Sequence, residues 1–151
     1  MADRSGTFSH PHVKLVWAAL VVALTMGGSA VRPAEADEAA AEFRTWCAAC
    51  HGASARGDGP VARALRTEPP DLTGLSQRNG GTFPAEQVRQ FIDGRTMPRA
   101  HGTPEMPVWG AWFSIQAAAE GILQDDRTAI EASVRARIDR MVEYLSGIQE
   151  Q

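Results

Sequence analysis

With 151 residues and a formal net charge of −3, the chain suits a single domain with a sizeable core, and no repeat or long linker argues for a second. From Asp37 onward it carries twelve arginines, no lysine and sixteen acidic residues, a formal charge of −4. That balance gives no reason to expect binding to nucleic acid or to an anionic membrane. Two cysteines in the whole chain exclude a disulfide framework.

The N-terminal segment reads as an export signal. Arg4 and Lys14 precede an apolar run from Leu15 to Met26, followed by Gly27-Gly28-Ser29-Ala30 and the small-residue triplet Ala34-Glu35-Ala36. A basic start, an apolar middle and a small-residue end make a secretory signal peptide, here residues 1–36, with cleavage expected after Ala36 or alternatively after Ala30. The apolar run is shorter than the ~20 residues a spanning helix needs. An uncleaved anchor is the alternative. Export makes the expected location periplasmic and leaves residues 37–151 as the mature domain.

The segment from Ala39 to Trp46 is alanine-rich, with Phe43 and Trp46 three apart, and reads as a short amphipathic helix. It runs straight into Cys47-Ala48-Ala49-Cys50-His51-Gly52. C-x-x-C-H is the spacing of a c-type haem attachment site: two thiols on one helical turn reach neighbouring vinyl groups, and the adjacent imidazole lies beneath the iron. A dithiol redox site expects a β-α-β pattern that is missing, and a zinc site needs a second ligand pair. Both cysteines are therefore assigned to the haem, and no disulfide is expected.

Three glycines, an Asp-Gly pair and Pro60 make residues 52–60 a loop with positive-φ turns. Val61 to Arg66 is expected as a short helix with Pro60 at its first position. Pro69-Pro70 excludes helix and leaves carbonyls without local partners, so the Pro70 carbonyl is the candidate acceptor for the His51 Nδ1–H. Asn79-Gly80-Gly81 is a turn. Thr82 is expected to cap a helix from about Pro84 to Gly94 with Val88, Phe91 and Ile92 on one face. The loop 95–110 contains two Met-Pro pairs, Met97-Pro98 and Met106-Pro107, together with His101. Ala111 to Leu123 reads as a further short helix. Asp125 or Asp126 then caps a long final helix carrying Ile130, Val134, Ile138, Met141, Val142, Leu145 and Ile148 at steps of three and four, ending near Gly147. With no alternating segment, the fold class is all-α, short helices and long loops around one covalent haem.

Taken together, C-A-A-C-H-G, G-D-G-P, P-P-D-L-T, I-D-G-R and M-P-V-W-G ahead of a terminal helix resemble a class I monohaem cytochrome c. The likeness covers essentially all of residues 37–151 and is strongest to the small exported cytochromes of Proteobacteria, a group related to haem subunits of terminal oxidases. The resemblance implies crossed N- and C-terminal helices, with Phe43 or Trp46 against Tyr144. It implies thioether bonds from Cys47 and Cys50, His51 as proximal ligand, Pro70 orienting that histidine, and Trp109 covering the haem. Met106 is the implied distal ligand, with Met97 and then His101 as alternatives. Arg95, Arg99 and Trp112 are candidate propionate partners. The function so implied is periplasmic one-electron transfer between redox protein partners, without enzymatic activity. The alternatives are a haem subunit of a larger dehydrogenase or oxidase complex, or a haem enzyme or gas sensor with a labile distal ligand. Lacking lysine, the mature domain would dock through arginines and apolar contacts.

Overall fold

The computed structural model describes residues 33–96, 106–121 and 126–150. Residues 1–32, which hold most of the expected signal segment, lie outside these. Among the described residues every α and 3-10 element is helical and no strand occurs. None of these helices is long and apolar enough to cross a membrane.

Helix α1 (Pro33–Trp46) begins ahead of the expected Ala39 start, with a proline at the position where its missing N–H costs nothing. Ala39 and Phe43, four apart, are its buried side chains. The short α2 (Ala48–His51) continues from it. A 3-10 turn at Ala62–Ala64 replaces the expected helix over 61–66, because the backbone becomes extended at Leu65 and ends it after a single turn. Then come α3 (Leu75–Arg78), which the sequence pattern did not signal, α4 (Ala85–Asp93) and α5 (Trp109–Ala119). The last helix, α6 (Arg127–Gly147), starts at Asp126, whose side chain accepts from the N–H groups of Thr128 and Ala129.

Helix α6 is the spine, packing against α1, α4 and α5. Its buried residues Val134, Ile138, Met141, Val142 and Leu145 form the expected stripe. Phe43, 1% exposed, is the contact that crosses α1 over it, with the Tyr144 ring 5.3 Å away. Trp46 does not share that contact and turns instead toward α5.

Two local expectations are corrected. Pro84, not Thr82, occupies the start of α4, and no side chain caps it; the Thr82 carbonyl instead accepts from Asn79 Nδ2. Phe91 is 51% exposed, because nine residues present only the Val88–Ile92 stripe to α6 and Phe91 lies beside that stripe. At the other end the helix stops as expected, at Gly94 in the left-handed conformation with its N–H on the Gln90 carbonyl.

Truncating Phe43 removes the largest side chain sealed between α1 and α6. Phe43→Ala is expected to destabilise the protein by about 3–5 kcal/mol, read as a drop in denaturation midpoint with the denaturant slope unchanged.

Candidate functional site

The turn that carries Cys47, Cys50 and His51 is one short helical turn, held by N–H groups of Cys50 and His51 on the Cys47 carbonyl. A helix of four residues leaves its last carbonyls without partners of their own. Here the following loop doubles back to supply them: Val61 N–H binds the Ala49 carbonyl, Gly59 N–H the Cys50 carbonyl and Gly57 N–H the His51 carbonyl, at 2.8–3.1 Å. The return passes so close that a side chain at Gly59 would strike the Ala49 and Cys50 carbonyls. Ala55, in the left-handed region at φ 61, is buried in the same loop and offers its carbonyl to Leu72 N–H at 2.8 Å. That bond brings the Pro69-Pro70 loop onto the Cys47–His51 turn.

Gly57, at φ +81, is where the two loops meet, and any side chain there would collide with the Pro69 carbonyl. Beside this contact His51 is half-buried. Burial lowers its proton affinity, and the Pro70 backbone carbonyl acts in the opposite direction. Nδ1 is itself buried but makes no hydrogen bond of ordinary geometry. The expected bond from Nδ1 to the Pro70 carbonyl is thus not formed, although that carbonyl acts on the ring. Burial, with help from the Glu42 charge and Cys50, pushes the Cys47 thiol up to about 12. A dithiol redox site needs the opposite, a thiol whose affinity for its proton is depressed.

On the other side of the chain, Met106 is half-buried against the core, as are Cys47, Leu72, Leu75, Phe83 and Trp109. Met97, Arg99 and His101 lie outside the described residues. The ends of the loop that contains them are fastened together. Gly94 lies against Val108, and Gly110 lies under the Asp93–Arg95 ion pair so closely that a Cβ would collide with it. I-D-G-R and V-W-G are therefore two halves of one contact. Arg95 does not serve as a free propionate donor: Nε and Nη2 bind the two Asp93 oxygens at 2.7 and 2.8 Å, and Nη1 reaches Glu131 at 2.8 Å. The Arg95 bonds hold the Asp93 carboxyl below its ordinary range.

Trp109 stacks on Phe113 at 5.9 Å and meets the edge of Trp46 at 6.0 Å. Trp112, 41% exposed, meets Trp46 at the same distance. Arg137 lies 3.9 Å over the Phe113 ring and bonds Glu42 and Gln116, joining α1, α5 and α6. The aromatic cluster thereby links the residue before Cys47 to the helix after Met106.

The site fits a covalent haem. Two thiols and an imidazole stand on one turn, a buried Nδ1 lacks a partner that its coordination would orient, and a thioether and other apolar side chains are left half-covered. Sequence reasoning missed Ala55, whose left-handed backbone has no compositional signal, and Gln149, whose bonds to Leu72 and Ser76 reach across more than seventy residues. A family model described as Cytochrome c matches residues 36–132. No curated protein and no solved structure matches the chain.

Replacing Gly57 by Ala should force the Pro69-Pro70 loop off the turn; the expected loss exceeds ~1 kcal/mol, from backbone strain plus the collision, and thermal unfolding of the haem-loaded variant checks it. Acid behaviour offers a separate check. Asp71 is held below its ordinary 3.8, first by the hydroxyl of Thr73 and then by the Thr73 N–H. Its folded-state value is depressed, so it stabilises the fold above pH ~4 and that contribution disappears as pH falls through the folded value. Asp71→Ala should accordingly cost stability at pH 7, and the difference from wild type should shrink as pH falls below about 4, measured by denaturant titration across the acid range.

Proposed function

Because the chain belongs to the cytochrome c family, a family of haem-based electron-transfer proteins carrying covalent haem c, we propose that it is a periplasmic one-electron carrier. In this reading the haem is bonded through Cys47 and Cys50 and ligated by His51 and Met106. The observation that carries it is the attachment turn itself: both thiols and the imidazole project from one helical turn whose carbonyls are capped by a returning loop. When bound, the haem supplies a reversible iron(III)/iron(II) couple.

The chain's own residues do the rest. Burial of Nδ1 on the protein side leaves Nε2 of His51 as the nitrogen for iron. The Met106 thioether would supply the sulfur that favours the reduced state. With His51 and Met106 both holding the iron, no position would remain for a substrate, which supports electron transfer without catalysis. The candidate export signal at residues 1–36 supports a periplasmic location, where haem attachment takes place. Trp112 and Ile115, 41% and 62% exposed on α5, favour a second reading as the haem subunit of a larger redox complex, separable from the first by whether the protein purifies alone.

Optical spectra of the haem-loaded protein test the ligand set. Wild type and Met97→Ala should both show a low-spin spectrum with the weak far-red sulfur-to-iron band of the ferric state. Met106→Ala should lose that band and bind carbon monoxide when reduced. A band that survives in Met106→Ala overturns the assignment.

A further inference from the structure

The chain leaves α4 at Asp93 and returns to the core at Met106, and one guanidinium joins the two ends of that excursion. Arg95 Nε and Nη2 donate to the two Asp93 oxygens at 2.7 and 2.8 Å, a planar fork on a carboxylate at the exit of α4. Its Nη1 donates to Glu131 of α6 at 2.8 Å and to the Ser114 hydroxyl of α5 at 3.4 Å. That hydroxyl donates in turn to the Gly110 carbonyl at 2.8 Å. One side chain thus ties α4, α5 and α6 at a single point.

The returning chain is shaped to fit beneath this tie. A Cβ at Gly110, in the first turn of α5, would stand 2.4 Å from Asp93 Oδ1 and 2.6 Å from Arg95 Nε. Val108 packs on Gly94, whose own Cβ would meet the Val108 Cα at 3.3 Å. Both glycines are needed for the ends to touch. Met106 lies two residues before Val108 and rests half-buried against the core. Only Pro107 stands between it and pinned backbone, and the proline ring fixes its own φ. The freedom of the thioether to move is therefore limited by the contact that Arg95 closes.

We propose that Arg95 is a positioning residue for the distal ligand: by clasping Asp93 over Gly110 it holds Met106 in place and so sets how often the sulfur leaves the iron. This rests on the reading of Met106 as ligand. When the clasp opens, the sulfur withdraws with its electron pair, no electron is gained or lost by the metal, and an outside ligand can take the vacated position. Arg95 thereby keeps an electron carrier from becoming a ligand-binding haem protein. The molecule carries its own comparison in Arg89, which also joins α4 to α6, through Asp139 at 2.6 Å, but whose partners Glu86 and Asp139 belong to the helices and not to the loop ends.

The test uses the intact, haem-loaded protein as wild type, Arg95→Leu, Arg95→Lys, Gly110→Ala and Arg89→Leu. Leu removes every Arg95 bond, whereas Lys keeps the charge without the fork. Gly110→Ala parts the pair without removing a charge, and because alanine favours helix more than glycine does, α5 itself is not weakened. Each reduced sample is mixed with carbon monoxide; each oxidised sample is read for its far-red band and its unfolding temperature. Arg95→Leu and Gly110→Ala should bind carbon monoxide about tenfold faster than wild type, the factor expected for one lost bond to a charged group, with Arg95→Lys in between. Arg89→Leu should unfold at a lower temperature and bind carbon monoxide at the wild-type rate. Equal rates in all samples, or rates that rise in Arg89→Leu as much as in Arg95→Leu, overturn the inference and leave Arg95 a structural tie. A wild-type spectrum without the far-red band overturns the ligand reading instead, so the first failure is read from the variants and the second from wild type alone.

Discussion

The whole arrangement depends on a backbone debt at residues 49–51. An attachment turn has to be short, because the chain must leave the helix as soon as the histidine is in place. A turn that short cannot satisfy its own carbonyls. The loop 57–61 discharges that requirement with three alternating N–H groups; it can approach closely enough only because Gly59 has no side chain, and the bare Gly57 lets the Pro69 carbonyl close in from the other side. The glycines of G-D-G-P are thus part of the histidine's mounting. Ala55 meets the same demand with a left-handed backbone that a glycine would adopt more easily, and its buried methyl is retained in the core.

Two structural systems meet at this mounting. Phe43 and the α6 stripe fix the direction in which α1 delivers Cys47, and this packing is apolar and non-directional. The proline loop is positioned by hydrogen bonds instead, from Ala55 at one end and the C-terminal tail at the other. Apolar packing locates the thiols to within a helix position; directional bonds fix the course of the proline loop beside them. The helix α6 takes part in both, through its buried face and through the tail that leaves it.

Much of this was legible in the sequence where the chemistry is local. The C-x-x-C-H spacing, the α6 periodicity, the Asp126 cap and the Gly94 stop each depend on residues a few positions apart, and each lies where the pattern places it. What escaped is pairwise and distant. Nothing near Gln149 marks it as the partner of Leu72, and nothing near Arg95 says that Asp93 and Glu131 occupy its guanidinium. Phe91 fits the α4 periodicity but not the width of the face α6 offers it. The Thr82 side chain had the right chemistry for a cap one residue pair too early, and Pro84 took the position.

The arginines show what composition alone leaves out. From Asp37 onward there are twelve of them and no lysine. Arg56, Arg89, Arg95, Arg137 and Arg140 are each within ion-pair distance of an acidic side chain. Four of these pairs join different helices or a loop to a helix: Arg89 links α4 to α6, Arg95 links the chain just after α4 to α6, Arg137 and Arg140 link α6 to α1. The Arg137–Glu42 pair is the most enclosed, with Glu42 only 9% exposed, and it is completed by Gln116 and the Phe113 face. A guanidinium suits such joints because its planar fork binds two partners and still stacks on a ring, which a lysine ammonium does not do as well. In this chain the choice of arginine over lysine thus follows from how α6 is joined to its neighbours as much as from any encounter with a redox partner.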